Sequence, residues 1–232
     1  MKKVIRFILD ILLITCIMVA VFFGYKVYQR YREDKDNKET YQKIQTYAKK
    51  GIDWNKLRKI NPDIVGWIKV KGTNINYPIV KGTTNQTYLH TDFNNKYSYG
   101  GCIFLDYHDH KDLSKNQHSI IYGHHMRNGS MFADLTKFRK GNFAKKHQIV
   151  LYTPQKTYHL QAFSVYAKSA DSKIPMTFKD KNDKQVYIDR LLSRNCVSGI
   201  RKRADVTKNI FTFATCSYEG HDYRTYVHCV EK

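Results

Sequence analysis

Hydrophobic and polar positions divide the chain into an apolar N-terminal run, a charged segment, and a long region of short alternating runs. Residues 4–25 are almost wholly apolar apart from Arg6 and Asp10, and residues 11–23 carry no charge. A bilayer core requires roughly 20 apolar residues, a length that this run reaches if Arg6 snorkels to the interface. No small-x-small cleavage site closes the run, so we expect residues 1–25 to be an uncleaved membrane anchor.

The flanking charges of this anchor do not fix its orientation. Basic residues stand on both sides of it, namely Lys2, Lys3 and Arg6 before and Lys26, Arg30 and Arg32 after. The positive-inside rule needs an excess on one side. A short N-terminal segment before a large C-terminal domain is typical of a signal anchor. We therefore expect the anchor to contact membrane lipid and the domain to lie outside the cell.

Residues 26–62 are expected to form a helical stalk and N-terminal helices that pack on the domain. Residues 30–50 mix both signs of charge and contain neither Pro nor Gly. Apolar and aromatic residues recur there at helical spacing: Tyr41, Ile44, Tyr47 and Ala48. This spacing predicts a helix that docks one face onto the domain. Asp53 is a suitable N-cap for a second helix, which Asn61 and Pro62 would end.

From residue 63 onward the hydrophobic period becomes that of strands. About eight short runs are rich in β-branched and aromatic residues: 67–70, 75–80, 101–106, 118–123, 147–152, 157–167, 209–215 and 223–230. Turn-forming residues separate them, a pattern typical of an antiparallel barrel or sandwich. Residues 181–194 interrupt the series with a helical stripe of apolar side chains. The pattern predicts a mainly β domain at 63–232 with peripheral helices.

Composition supports a folded domain and restricts its partners. The 232 residues are 42% hydrophobic and 14% aromatic, and they carry a formal net charge of +20. These proportions exclude a disordered chain. Such a charge suits nucleic acid, an anionic lipid surface or an anionic wall polymer; behind an anchor, we expect no nucleic acid. The 5 cysteines show no C-x-x-C spacing, which argues against zinc and redox motifs, and we expect no cofactor.

The predicted strands 209–215 and 223–230 are joined by a short loop rich in turn formers. A hairpin of this kind places Cys216 at the end of one strand and Arg224 near the start of its neighbour. A nearby cation favours the thiolate and lowers the pKa of a cysteine. Most strand cysteines are small buried hydrophobes and most arginines are solvated. This stretch alone therefore leaves a purely structural role open.

A histidine after another predicted strand supplies the second group that thiol chemistry requires. His124 follows Tyr122 and Gly123 directly, where it is able to face a cysteine at the end of another strand. In thiol acyl transfer the thiolate attacks a carbonyl carbon and the histidine handles the protons. An arginine is then a suitable donor to the developing oxyanion. The chain has 10 histidines, and His125 and His221 remain rival bases.

A metal site is a weaker alternative. Its candidate ligands fall in a few short stretches of the sequence: His108, Asp109, His110, His118, His124 and His125. Their spacing matches neither an H-E-x-x-H motif nor a comparable ligand set. We therefore expect no bound metal.

Several motifs follow one another along the chain: Tyr-Gly-His-His-Met, Asn-Gly-Ser-Met-Phe-Ala-Asp-Leu, Phe-Ala-Thr-Cys and Arg-Thr-Tyr-Val. With Ile-Asn-Tyr-Pro-Ile-Val at 75–80 and Tyr-Leu-His-Thr-Asp-Phe at 88–93, they resemble the sortases, specifically class B. Each motif alone is weak, but together, in this order and behind an N-terminal anchor, they form a specific set. The resemblance covers residues 67–230, including the helix at 181–194 that distinguishes class B.

The resemblance implies an eight-stranded sortase-type β-barrel and a cysteine transpeptidase. It implies three catalytic residues: His124, Cys216 and Arg224. It also implies three residues in contact with substrate: Thr215, Leu89 and Ser217. The chain departs from the family pattern in two places. Phe213 stands where the family has Leu, which is a tolerable apolar exchange on a buried face. The interval from Cys216 to Arg224 is a short 8 positions, which bears on the groove beside the nucleophile rather than on the chemistry.

By the same resemblance, the enzyme would cleave a C-terminal sorting motif of the Asn-Pro-x-Thr kind after its Thr. It would hold the cleaved protein as a thioester and transfer it to an amine of a peptidoglycan precursor. The implied partners are therefore surface proteins that bear the motif, together with the wall precursor.

Two alternatives from the residues themselves stay open. A cysteine peptidase or amidase that hydrolyses wall peptides would use the same thiol and imidazole, and would not respond to an added amine. A membrane-tethered basic binding module would keep Cys216 for structure alone, and its binding would fall steeply with salt.

Overall fold

The computed structural model describes residues 2–49, 51–170, 174–200, 204–216 and 222–232. Its first helix, α1, is continuous over Lys2–Thr46, so the apolar run and the stalk form one helix. By length and composition α1 is a candidate membrane span. Further along it, Tyr41 and Ile44 are buried. The helical spacing predicted such a docked face.

The remaining helices are short or peripheral: α2 Trp54–Ile60, α3 Gly141–Lys146, α4 Lys181–Arg194, and the 3₁₀ helices Leu113–Lys115 and Ala133–Arg139. The Asp53 carboxylate accepts from the Lys56 N–H at 3.0 Å and caps α2, as predicted. α4 has the predicted bounds, and Asp180 caps its first turn in the same way.

Eight strands close into a barrel: β1 Ile64–Val70, β2 Asn76–Val80, β3 Ile103–Leu105, β4 His118–Tyr122, β5 Ile149–Tyr152, β6 Thr157–Ser169, β7 Ile210–Cys216 and β8 Tyr223–Glu231. Their order around the barrel is β1-β2-β3-β4-β7-β8-β6-β5. All of the predicted runs are strands, and their ends differ from the predicted ends by at most 3 residues.

The barrel is mixed, so the expectation of an antiparallel sheet is wrong for two of its strand pairs. β2 runs parallel to β3, and β4 runs parallel to β7. Alternation of apolar residues fixes which face of a strand is buried, but not the direction of its neighbour. Parallel neighbours need a long crossover connection, which segments 81–102 and 123–209 provide here.

Two hydrophobic clusters hold the strands in place. One fills the barrel and contains Trp67, Phe213 and Val227. The other joins α4 to β6, β7 and β8 and includes Tyr187 and Leu191. Because side chains of β7 and β8 enter both clusters, these two strands are firmly supported up to the edge where Cys216 and Arg224 lie.

Candidate active site

Cys216 and Arg224 face each other at the end of the β7–β8 hairpin. The antiparallel register pairs Thr215 with Thr225 and Cys216 with Arg224. Side chains of directly opposed residues lie side by side on one face of the sheet. Cys216 is exposed and ends β7. The predicted juxtaposition of thiol and guanidinium is therefore present.

His124 reaches the same edge of the barrel because β4 and β7 are parallel. Tyr122 pairs with Ala214, and the Gly123 N–H donates to the Ala214 carbonyl oxygen at 3.1 Å. His124 and Cys216 each follow that pair by 2 positions. A Cβ on Gly123 would collide with the side chains of Ile103 on β3 and of Phe132, so only glycine permits this close approach.

The imidazole of His124 is held in one tautomer. Its Nε2 lies 2.9 Å from the Leu89 carbonyl oxygen. A carbonyl oxygen only accepts, so Nε2 carries the donated proton and Nδ1 is the nitrogen able to take one up. Burial lowers the pKa of His124; the hydrogen bond to Leu89 opposes this effect and the nearby His90 adds to it. The neutral ring is therefore favoured at pH 7.

Stacked rings connect His124 to α1. The His90 ring lies 5.5 Å from the His124 ring, centroid to centroid, and Tyr99 stacks on both. The guanidinium carbon of Arg30, on α1, is 5.9 Å from the Tyr99 ring centroid. Offset ring pairs and a cation over a ring are mutually attractive. The stack therefore restricts rotation of the His124 side chain.

One pocket of about 290 Å³ joins the three chemical groups. It is lined by Asn85, Gln86, Leu89, Phe104, Tyr122, Gly123, His124, Ala214, Thr215, Cys216 and Arg224. The structure thus brings together five of the residues predicted from the sequence: His124, Cys216, Arg224, Leu89 and Thr215. The sixth, Ser217, and the rival base His221 lie outside the described residues.

Arg224 rests on an aromatic side chain for which the sequence predicted no role. Its guanidinium carbon lies 5.8 Å from the ring centroid of Tyr122. The Tyr122 hydroxyl donates to Asp106 Oδ2 at 3.2 Å, and the Phe104 ring packs against the tyrosine. Burial raises the pKa of Tyr122, and the Asp106 carboxylate raises it further. The hydroxyl therefore remains protonated and a donor.

The remaining sequence candidates have other contacts. His125 Nδ1 lies 3.1 Å from the backbone carbonyl oxygen of Cys216, so this nitrogen serves the main chain rather than the sulfur. His118 is buried between Pro175 and Thr212. Within the part of the chain that the structure describes, no three His, Cys, Asp or Glu side chains are grouped as metal ligands.

The sequence predicted no place in the pocket for several of the residues that line it: Asn85, Gln86, Phe104 and Tyr122. Asn85 and Gln86 come from the 81–102 crossover, whose path no hydrophobic period describes. Phe104 and Tyr122 are directly opposed in the β3–β4 pair. Knowledge of that register would have placed both on the pocket wall.

Comparison with known proteins identifies the class of protein to which this barrel and pocket belong. A family model of the sortase domain matches residues 68–232. Sortase B of Staphylococcus aureus is 35% identical over 220 residues, which cover 90% of this chain and 89% of the relative. Sortase B of Listeria monocytogenes is 32% identical over 215 residues, covering 87% and 86%. The Staphylococcus aureus sortase B–substrate complex has a TM-score of 0.74 at 31% identity, covering 86% of this chain and 97% of that chain.

The chain belongs to the sortase family, whose members are cysteine transpeptidases that anchor proteins to the cell wall. Within the family it falls in class B, because its relatives on both sequence and structure are sortases B. The eight-stranded mixed barrel is the architecture of those structures.

Proposed function

We propose that this enzyme cleaves a C-terminal sorting motif of the Asn-Pro-x-Thr kind after its Thr and transfers the protein to an amine of a cell-wall precursor. The observation that carries the proposal is that His124, Cys216 and Arg224 line one pocket. Sortase B of Staphylococcus aureus, which has a similar fold, has been solved as a substrate complex, and this supports a substrate site in the barrel described here.

In the first step Cys216 is the nucleophile. The thiol proton passes to Nδ1 of His124 as the sulfur attacks the Thr carbonyl carbon. Arg224 donates hydrogen bonds to the carbonyl oxygen as it becomes an oxyanion. The carbon–nitrogen bond then breaks, and the imidazolium of His124 gives its proton to the departing amine. The products are a thioester on Cys216 and a neutral His124.

In the second step the amine of the wall precursor attacks the thioester carbonyl carbon. Neutral His124 accepts a proton from the attacking amine. The carbon–sulfur bond breaks, and the sulfur leaves as a thiolate that recovers a proton from the imidazolium. The new amide bond joins the surface protein to the precursor, and the resting enzyme is restored. The lowered pKa of His124 suits this role, because the resting imidazole is neutral.

Substrate contacts and cellular placement complete the proposal. Leu89 and Thr215 line the pocket and are proposed to contact the sorting peptide. Ser217, which lies outside the described residues, is proposed for the same role. Residues 1–25, at the start of α1, are proposed to anchor the enzyme in the cell membrane with the barrel on the outer side. There the barrel meets both the exported substrate and the wall precursor.

The test uses the full-length protein in detergent micelles and quenched peptides that carry sorting-type motifs. Cleavage after Thr should vanish in Cys216→Ala and in His124→Ala, and ligated product should rise with added amine. Cleavage that persists in Cys216→Ala would show the assignment of the nucleophile to be wrong. Hydrolysis that ignores the amine would instead favour a cysteine peptidase or amidase.

A further inference from the structure

Asp106 is a buried carboxylate at the end of β3 that the proposed chemistry does not use. Its side chain is only 6% exposed. Oδ1 accepts from the backbone N–H of His108 at 3.0 Å and lies 3.0 Å from Nδ1 of the same residue. Oδ2 accepts from two side chains, Asn85 Nδ2 at 2.9 Å and the Tyr122 hydroxyl at 3.2 Å. Both partners of Oδ2 line the pocket.

These two partners come from different parts of the chain. Asn85 belongs to the 81–102 crossover, and its Oδ1 also accepts from the Tyr107 N–H at 3.0 Å. Tyr122 ends β4 and carries the guanidinium of Arg224 on its ring face. One carboxylate oxygen therefore ties a crossover residue to the aromatic support of the arginine. Both hydrogen bonds to Asp106 Oδ2 are between side chains, so neither follows from the backbone pairing of the barrel strands.

We propose that Asp106 is a positioning residue for the transpeptidation: it fixes the Tyr122 ring against Arg224 and holds Asn85 on the pocket wall. This inference rests on the proposed role of Arg224 as the oxyanion donor. A guanidinium aimed at a developing charge must be placed within a few tenths of an ångström. Asp106 contributes to that placement without touching the substrate.

Asparagine at this position keeps the shape of the side chain but has one acceptor oxygen in place of two. Asparagine is therefore unable to accept hydrogen bonds from the His108 N–H and from both Asn85 and Tyr122. Asp109 offers a matched control in the same loop, because it is equally buried and its Oδ2 accepts from the Ile120 N–H, a main-chain group outside the pocket. Burial raises the pKa of Asp109 to about 7, so asparagine mimics its neutral form.

The first experiment compares Asp106→Asn and Asp109→Asn as full-length proteins in detergent, using a peptide that the unmodified enzyme cleaves. We expect kcat to fall by about tenfold or more in Asp106→Asn and to stay within about twofold in Asp109→Asn. Tyr122→Phe keeps the ring and loses only the hydroxyl, so it tests the same link without a change in the buried charge. A double variant combines Tyr122→Phe with Asp106→Asn. Because both changes break the same hydrogen bond, its kcat should be no lower than that of the less active single variant.

A second readout does not depend on catalysis. The Nε–H signal of Arg224 in ¹⁵N NMR should be shifted upfield by the Tyr122 ring, and it is identified by its loss in Arg224→Lys. We expect this shift to shrink in Asp106→Asn and to persist in Asp109→Asn. An unchanged Arg224 signal, or equal kcat losses in the two asparagine variants, would overturn the proposal. If the unmodified enzyme cleaves no peptide, the proposed function fails, while the NMR comparison still decides the role of Asp106.

Discussion

Acid is expected to destabilise the barrel through two buried histidines, His118 on β4 and His228 on β8. His118 Nδ1 donates to the Pro175 carbonyl oxygen at 2.6 Å, which leaves Nε2 to accept from the Thr212 hydroxyl at 2.6 Å. The oxygen of Thr212 in turn accepts from His228 Nδ1 at 2.7 Å. This directed chain needs a neutral ring at His118, because a proton on Nε2 would remove the acceptor of the Thr212 hydroxyl.

The magnitude follows from the pKa of His118. Burial lowers this pKa, the hydrogen bond to Pro175 opposes the effect and the charge of Lys184 adds to it, with a net pKa of about 4. Burial also depresses the pKa of His228, and the charges of His118 and Arg194 add to that effect. An unfolded histidine has a pKa of about 6.5. Below that pH the unfolded chain binds a proton that folded His118 does not, so the stability is complete above pH 6.5 and is lost toward pH 4. A gap of roughly 2.5 pH units corresponds to about 3 kcal/mol.

Urea unfolding of the full-length protein in detergent measures this loss. The two tryptophans, Trp54 and Trp67, lie in α2 and β1 and report on the folded domain. The matched variant is His118→Asn, which keeps an N–H for Pro175 but does not titrate. Between pH 7 and pH 4.5 the unmodified protein should lose about 2 kcal/mol more than the variant, since titrating groups whose pKa does not depend on His118, such as Asp109, cancel in the difference. Equal losses would refute the role of His118.

Three further outcomes are expected. Arg224→Lys keeps the charge but loses the planar donor fork, so kcat should fall by about 100-fold with little change in KM; a loss below about threefold would contradict an oxyanion role. His90→Ala removes a ring that stacks on His124 and whose charge lowers the pKa of His124. NMR titration should therefore show the pKa of His124 rising toward its ordinary value, and a fall in that pKa would contradict the prediction. Ile44→Ala, at a 2% exposed site on α1, should lower the free energy of barrel unfolding by about 2–5 kcal/mol, whereas Val27→Ala, 66% exposed on the same helix, should not change it.

The strands could be predicted because each is a short apolar run with turn formers at its ends. Their exact limits could not, since hydrogen bonding to neighbours rather than composition decides where a strand stops. β1 begins at Ile64, three residues before the predicted start, because Ile64 pairs with Val80 across an irregularity in the ladder. The residue limits 1–25, 26–62 and 63–232 for anchor, stalk and domain stay a prediction.

The site was predictable only in part. His124, Cys216 and Arg224 each end or begin a strand-like run beside turn residues, so their position at strand ends was predictable from the sequence. Their catalytic roles were implied only by the resemblance to the sortases. Asp106 and Asn85 lack such a signal, because their contact joins the end of β3 to a crossover 21 positions earlier. Only tertiary packing brings the Asn85 amide to the Asp106 carboxylate. The aromatic support of Arg224 was missed for the same reason, since it depends on the register of β4.

The parallel pairing of β4 and β7, which the sequence pattern did not reveal, is what makes the site possible. Both strands arrive at the same edge of the barrel, so His124 and Cys216 follow the same Tyr122–Ala214 pair. In an antiparallel arrangement the two residues would lie at opposite ends of their strands. Five residues of β4 at about 3.3 Å each would then separate them by roughly 16 Å, too far for proton transfer. Pairing of the consecutive strands β7 and β8 places Arg224 opposite Cys216. His124 lines the same pocket as Cys216 only because the long 123–209 crossover returns the chain to β7 in the direction of β4.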